Sequence, residues 1–243
     1  MIRYNELIFD GVRTSSFPFS VIVESSPTAY FVASKTDIIE HTGINGALTV
    51  SNHKRSTLKK DYTLTLVHPS EQQVYEFIAL LSRERVWLES ASEVLVRYFV
   101  YKADTFQTTR DVFGNYTINV SFTCHPTKFF KEIDTQRFST NGVLIMQGTA
   151  LAYPKISVYG QSSTETFFSV GTHEIRLKAL SQQVIFYNDP FQAKVVDHNR
   201  NENTIDWKGD FICLNANVSD KRLGVTLGKG ITNIEIETNW GYL

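Results

Sequence analysis

One segment of the chain carries hydrophobic residues at helical spacing. The side chains at positions i, i+3, i+4 and i+7 are Val74, Phe77, Ile78 and Leu81. This spacing places them on one stripe of a helix. Ser70 followed by Gln73 forms a capping-box pattern at its start. The pattern predicts a single helix within Pro69–Leu88, at about residues 70–85, packed on a sheet.

The rest of the first half alternates as strands do. Residues Tyr116–Cys124 alternate apolar and polar without a fault, which is typical of a half-buried antiparallel strand. In Val94–Tyr101 both the odd-numbered and the even-numbered positions are mostly apolar, which predicts a strand covered on both faces. Residues 104–115 are read as a polar connection. Further strands are predicted at Leu7–Phe9, Ser20–Val23, Tyr30–Val32 and Tyr62–Val67.

Residues Lys35–Lys60 differ from their surroundings. Asn45-Gly46 favours a tight turn, and Ala47–Val50 is a short apolar run followed by polar residues. We expect a projecting hairpin with little core of its own. Because such an edge is normally covered or paired, a neighbouring copy of the chain is the expected partner.

The second half shows short strands at regular intervals and no helical stripe, which favours an all-β sandwich of jelly-roll type. Periodicity stops at residues 126–141, so we predict two domains, 1–138 and 139–243, separable near Asn141-Gly142. The predicted strands are 143–147, 153–159, 164–170, 173–180, 183–188, 191–197, 203–207, 210–214, 223–227 and 231–238.

Composition adds few constraints. The 24 basic and 25 acidic residues nearly cancel, so bulk charge does not indicate a polyanion binder. The opening residues do not resemble an export leader, and no apolar run approaches the roughly 18 residues of a membrane span, so we expect a soluble protein made in the cytoplasm. Cys124 and Cys213 are expected to be free thiols rather than a disulfide.

No catalytic constellation emerges. The six histidines are scattered singly, and acidic residues such as Asp189 and Asp206 are more simply explained as turn residues. Tyr153, Tyr159, Trp207 and Trp240 are candidates for a sugar-stacking platform, although buried anchors are the commoner fate of such residues. We therefore expect no catalytic, cofactor-binding or metal site.

Six local patterns, in order, resemble the distal tail proteins of long, non-contractile-tailed bacteriophages (siphophages). They are the opening Leu7–Phe17, the helix ending in Trp87-Leu88, the strand Tyr116–Cys124 running into His125–Phe130, and the stretches Tyr153–Gly160, Lys208–Leu214 and Ile234–Leu243. The resemblance covers essentially the whole chain. One departure is the loop Leu227–Asn233, where the family usually has Pro-Gly-x-Asn.

The resemblance implies an N-terminal β-sheet or split-barrel-like domain with one helix and a C-terminal galectin-like β-sandwich. It implies a structural hub without enzymatic activity, at the tail tip of the virion and assembled in the host cytoplasm. Six copies would form a ring that joins the tail tube to the tip or baseplate and lets DNA pass without specific binding. The outer domains would hold receptor-binding or other baseplate proteins for host attachment. The alternative is a carbohydrate-binding or lectin-like module without catalysis.

Within such a ring the hairpin is the candidate interface. We predict that Leu48 and Val50 supply apolar contact to the next subunit. The basic cluster beside them would face acidic groups across that interface, although the same cluster could touch a phosphate backbone. The four basic residues are Lys54, Arg55, Lys59 and Lys60.

Overall fold

The computed structural model describes residues 6–24, 32, 34–40, 42–43, 45–202 and 204–243, without the side chains of residues 51–53. The predicted strand at Tyr30–Val32 lies mostly outside the described residues. The chain is mainly β, as predicted, and divides into two compact units, Met1–Phe129 with Leu243 and Phe130–Tyr242. This division lies before the predicted boundary at 138/139, because the strand Asp134–Phe138 pairs with Ile231–Thr238 of the second unit.

The first unit contains one large antiparallel sheet, a separate hairpin and a helix. Along the sheet the strands follow the order β2-β1-β7-β8-β9-β6-β3. The elements are β1 (Leu7–Phe9), β2 (Val12–Arg13), a 3-10 turn (Thr14–Ser16), β3 (Ser20–Val23), β4 (Ser34–Glu40), β5 (Ala47–Arg55), β6 (Leu58–Val67), α1 (Glu71–Leu81), β7 (Val86–Ser90), β8 (Val96–Arg110), β9 (Tyr116–Cys124) and β10 (Lys128–Phe130).

Helix α1 begins as predicted and ends earlier. The Ser70 hydroxyl accepts a hydrogen bond from the Gln73 amide, and the Gln73 side chain accepts from the Ser70 amide, so both halves of the capping box are present. Val74, Phe77, Leu80 and Leu81 are buried. The predicted extension toward Leu88 is wrong, because Val86–Ser90 pairs with β8 as strand β7.

Strand β8 corrects a second prediction. Residues 104–110, read as a polar connection, continue the strand and pair with β9 as far as Arg110↔Tyr116. The register shifts between Val100 and Lys102 and again between Ala103 and Thr105, which breaks the alternation that sequence analysis looks for. Strand β9 itself has the predicted limits.

The second unit is a sandwich of two five-stranded antiparallel sheets, with the orders β11-β22-β14-β17-β18 and β12-β21-β15-β16-β19. Its strands are β11 (Asp134–Phe138), β12 (Gly142–Ile145), β13 (Leu151–Ala152), β14 (Lys155–Ser162), β15 (Thr166–Val170), β16 (His173–Leu177), β17 (Leu180–Tyr187), β18 (Lys194–Asp197), β19 (Trp207–Lys208), β20 (Leu214–Asn215), β21 (Arg222–Leu227), β22 (Ile231–Thr238) and β23 (Gly241–Tyr242).

One apolar core joins the two sheets of the second unit. Phe168 of one sheet and Phe186 of the other lie with ring centroids 5.5 Å apart, edge to face. Trp240 is fully buried against the same core, and its indole Nε1 donates to the Asp134 carboxylate at 2.9 Å. This bond links the start of β11 to the connection between β22 and β23. Most predicted strands of this half are present, with shifted ends.

Both cysteines are free thiols, as expected, with Cys124 buried and Cys213 half-buried. Within the described ranges, no group of three or more His, Cys, Asp or Glu side chains is placed to hold a metal ion. No helix of the described part is long and apolar enough to cross a membrane.

Candidate subunit interface

The segment predicted as a projecting hairpin forms a separate two-stranded sheet. Strands β4 and β5 pair with each other from Glu40↔Ala47 to Ser34↔Arg55, and neither pairs with another strand among the described residues. Gly46 adopts φ +101° in the connection, a conformation that favours glycine. A lone two-stranded sheet is marginally stable in water, and this hairpin has no further strand beside it among the described residues.

The hairpin exposes large apolar side chains. Leu48 and Val50 are 53% and 57% exposed, and the register places Ile39 opposite Leu48 on the same face. Ile38 lies on the other face and is 68% exposed. Ile38 and Ile39 were not predicted as interface residues, although two adjacent β-branched residues before the Asn45-Gly46 turn are typical of a strand. The two faces together present four large apolar residues to solvent.

The predicted basic cluster divides into two groups. Lys54 is exposed, and the Arg55 guanidinium donates to the backbone carbonyl of Val32. Lys59 is exposed on β6, with its ammonium 3.4 Å from the Asp104 carboxylate. These three side chains lie at the base of the hairpin and along the adjoining strand.

Lys60 does not belong to this exposed cluster, contrary to the prediction. Its side chain is fully buried, with Nζ 2.9 Å from the Glu93 carboxylate and 4.2 Å from the centroid of the Tyr98 ring. The Tyr98 hydroxyl donates to the same carboxylate. The alternation Leu58, Lys60, Tyr62 along β6 turns Lys60 inward, a signal that the sequence contained.

Two strand edges of the first unit, neither of them predicted from the sequence, have no partner strand among the described residues. Strand β3 pairs with β6 on one side and with no other described strand. Strand β8 also pairs with β10, but its pairing with β7 ends at Val100, and its described ladder from Lys102 to Arg110 is the one with β9. Exposed edges of this kind offer backbone donors and acceptors to a further strand.

The four aromatic residues considered for a sugar platform do not form one. Trp240 is fully buried, and Trp207 packs its ring against Phe186 and Phe211 with centroids 5.4 and 5.3 Å away. Tyr153 is 38% exposed, and Tyr159 is half-buried on β14. Trp240 is a buried core residue, the commoner alternative, and Trp207 is half-buried against the same core.

Comparison with known proteins identifies a fold and no sequence family. No family model and no curated protein matches the sequence. Among solved structures, the chain is similar to SPP1 Dit (gp 19.1), described as "a Paradigm of Hub Adsorption Apparatus in Gram-positive Infecting Phages". The similarity covers 98% of this chain and 99% of that chain, with a TM-score of 0.74 and 13% sequence identity. The chain therefore has the fold of SPP1 Dit over nearly its whole length.

Proposed function

We propose that this protein is a structural hub at the distal end of a phage tail. Six copies form a ring through their first units, and the ring joins the tail tube to the tip and lets DNA pass. The observation that carries the proposal is the similarity in fold to the SPP1 hub protein over 98% of the chain. The resemblance of the sequence patterns to distal tail proteins supports it independently.

The topology of the first unit favours a ring of identical subunits. Strands β3, β6, β9 and β8 are joined by three antiparallel pairings, so the two unpaired edges, β3 and the far half of β8, run in opposite directions. The β3 of one copy can therefore lie antiparallel beside the β8 of the next, and the sheet continues from copy to copy. Such a head-to-tail contact gives a closed ring when its rotation closes.

The hairpin supplies the second contact in this proposal. Leu48 and Val50 are about half exposed, so covering what remains contributes about 1 kcal/mol each, roughly half the value for full burial. Lys54, Arg55 and Lys59 lie nearby and would meet acidic groups of the neighbour. Because six such contacts close one ring, a small loss of binding free energy at each contact strongly disfavours the assembled ring.

In this proposal the protein acts as a connector without catalysis, cofactor or membrane anchor. Its partners are further copies of itself, the tail tube protein, the tail-tip protein and, through the galectin-like second unit, receptor-binding or other baseplate proteins. It is located in the tail tip of the virion after assembly in the host cytoplasm. The lectin-like alternative gains no support from Trp240, which is buried in the core, or from Trp207, which packs against that core.

The experiment measures the mass of the purified protein in solution by light scattering. We expect a hexamer for the wild type and a folded monomer for Leu48→Asp combined with Val50→Asp, because buried carboxylates at the contact are costly. Leu48→Asp alone is also measured against Thr49→Asp, its matched control, which puts one carboxylate on the opposite face of the same strand. Circular dichroism checks that each variant is folded.

A double variant that still assembles at the wild-type concentration would show that the hairpin does not hold neighbouring subunits together. A Thr49→Asp variant that dissociates as readily would show that any charge on the hairpin is disruptive, whichever face carries it. A wild type that stays monomeric at all concentrations would contradict the ring itself.

A further inference from the structure

One solvent-facing surface of the first unit has no charged side chains in its middle. Strands β6, β9 and β8 lie side by side there, and their registers align Thr65 with Thr117 and Thr109 in one row. The next row aligns Thr63 with Asn119 and Gln107. All six side chains are exposed or half-buried, while the residues between them, such as Leu64 and Ile118, point into the core.

The polar groups of these rows bond partly to each other. The Thr63 hydroxyl donates to the Asn119 side-chain oxygen at 2.8 Å, and the hydroxyls of Thr65 and Thr117 lie 3.4 Å apart. Hydrogen bonds between adjacent strands hold these side chains against the sheet. The surface is therefore an ordered layer of hydroxyl and amide groups.

Charges appear at the margins of this layer. Lys59 and Lys102 both lie beside one carboxylate, that of Asp104, at 3.4 and 3.3 Å. Asp61 occupies the next row, opposite Ser121, and Glu24 accepts a hydrogen bond from Thr65 at the β3 edge. The two cations thus share one acidic partner, and Asp61 and Glu24 add further negative charge beside the layer.

The second unit shows that an uncharged strand surface is not a general property of the chain. The solvent-facing side of its β11-β22-β14 sheet has Arg137 paired with Glu235 at 2.5 Å and Lys155 paired with Glu237 at 2.7 Å in adjacent rows. This strand surface therefore carries ion pairs between neighbouring strands. The hydroxyl rows of the first unit depart from that pattern.

The proposed ring fixes where this layer would lie. If the four strands β3, β6, β9 and β8 continue through six copies, the closed sheet has 24 strands spaced about 4.8 Å apart, a circumference of roughly 115 Å and a diameter of roughly 37 Å. One face of that sheet must line the channel. The opposite face is covered by the core with the helix residues Val74 and Phe77, so the hydroxyl layer faces inward.

We infer that the rows of Thr63, Thr65, Gln107, Thr109, Thr117 and Asn119 form the channel wall, and that this wall lets duplex DNA pass because it offers the phosphates no unpaired cation. Affinity for DNA comes mainly from lysine and arginine contacts that release counterions. Hydroxyl and amide groups without nearby cations make weak, short-lived contacts with phosphates. This inference rests on the proposed ring and adds the surface that meets the DNA.

The test adds one cation per subunit to the wall. Gln107→Lys is compared with Gln72→Lys, which changes the same residue type on the exposed face of α1. Each ring then carries six new lysines, either inside the channel or outside it. Binding is measured with short linear duplex DNA and with covalently closed circular duplex DNA of the same sequence, at several salt concentrations.

We expect the wild-type ring to bind neither DNA. The Gln107→Lys ring should bind linear DNA at least tenfold more tightly than the wild type, with strong salt dependence, and should leave closed circles unbound because a circle cannot enter a closed ring. The Gln72→Lys ring should resemble the wild type or bind both DNA forms equally and weakly.

Equal binding of linear and circular DNA by Gln107→Lys would place the hydroxyl layer on an outer surface and overturn the inference. Tight binding of linear DNA by the wild type would overturn the claim of a non-adhesive wall. Light scattering separates these outcomes from failure of the proposed function, because absence of a ring is seen before any DNA is added.

Discussion

Among the titratable side chains buried in the first unit, Lys60, Tyr62, Tyr98 and Cys124 have pKa values that burial shifts. Burial is the largest influence on all four, and it favours the uncharged form of each group. Burial raises the pKa of the Cys124 thiol from 9.0 to about 12. It raises the pKa values of both tyrosines above 10.0 and lowers the pKa of Lys60 below 10.5.

These shifts predict a loss of stability in alkaline solution. Above about pH 9 the unfolded chain releases the thiol and tyrosine protons that the folded chain keeps, so the unfolded state binds fewer protons and the free energy of unfolding falls. Lys60 acts in the opposite direction, because the folded chain releases its ammonium proton first. Because the thiol and the two tyrosines outnumber the one lysine, the free energy of unfolding should decrease as the pH rises. Urea unfolding between about pH 8 and pH 10.5 measures this decrease.

Cys124→Ala should reduce this decrease by up to about 1.4 kcal/mol per pH unit, since one of the three groups is removed. Val120→Ala serves as the control, because it removes buried volume on the same strand without removing a titratable group. Its stability should be lower than that of the wild type by the same amount at every pH. Parallel curves for the wild type and Cys124→Ala would contradict the prediction.

Lys60 also shows what residue-level sequence analysis could achieve. Charge composition placed it with Lys59 in a surface cluster, whereas the alternation along β6 turns it inward. Its partner Glu93 comes from the β7–β8 connection, thirty-three residues away. Alternation along the strand could therefore have indicated the burial of Lys60, but no local pattern could have identified Glu93.

At the scale of single elements, the helix was the most predictable part. Its start depends on adjacent residues, Ser70 and Gln73, and on one apolar stripe. Its end was misjudged because Val86–Ser90 is a strand whose pairing with β8 is a long-range contact. Strand β8 was shortened for a similar reason, since its two register shifts remove the alternation that would have shown it.

The capping box gives a prediction at this scale. Ser70→Ala should lower the free energy of unfolding by about 1 kcal/mol, because the Gln73 amide loses its acceptor at the first turn. Gln72→Ala is the control, since Gln72 makes a side-chain bond to Glu76 at 2.8 Å on the exposed face, a type of contact that contributes about 0.2–0.5 kcal/mol. Urea unfolding of both variants measures the difference. Equal losses would mean that the cap adds nothing beyond a surface contact.

At the scale of the whole molecule, the sequence predicted a β-rich chain with one helix, and pairing between distant strands determined where the chain divides. Residues 130–138 lack periodicity, yet Asp134–Phe138 lies against β22 and Asp134 receives the Trp240 indole bond. The hairpin with Leu48 and Val50 could be predicted, because its turn residues Asn45-Gly46 are a local sequence signal. The edges of β3 and β8 could not be predicted in this way, because local sequence does not show which strands lie beside each other in a sheet.

The division of the chain predicts the behaviour of fragments. Residues 130–243 should unfold cooperatively when produced alone, because both five-stranded sheets of the second unit are then complete. Residues 143–243 lack β11, which leaves β22 without one neighbour and Trp240 without its acceptor, so this fragment should be several kcal/mol less stable. Urea denaturation followed by tryptophan fluorescence compares the two. Equal stability of the fragments would show that β11 is not part of the folded second unit.

The position of β22 has a further consequence for how the chain matures during its synthesis. In its sheet β22 lies between β11 and β14, although it is made long after both of them. The first unit can fold as soon as residues up to Phe129 have left the ribosome. Once made, β11 waits roughly 5 to 20 s and β14 roughly 4 to 15 s for the strand that separates them. During that interval both strands expose unpaired edges to other nascent chains. Slow translation of the last third of the message should therefore increase aggregation of incomplete chains, while the first unit is already folded.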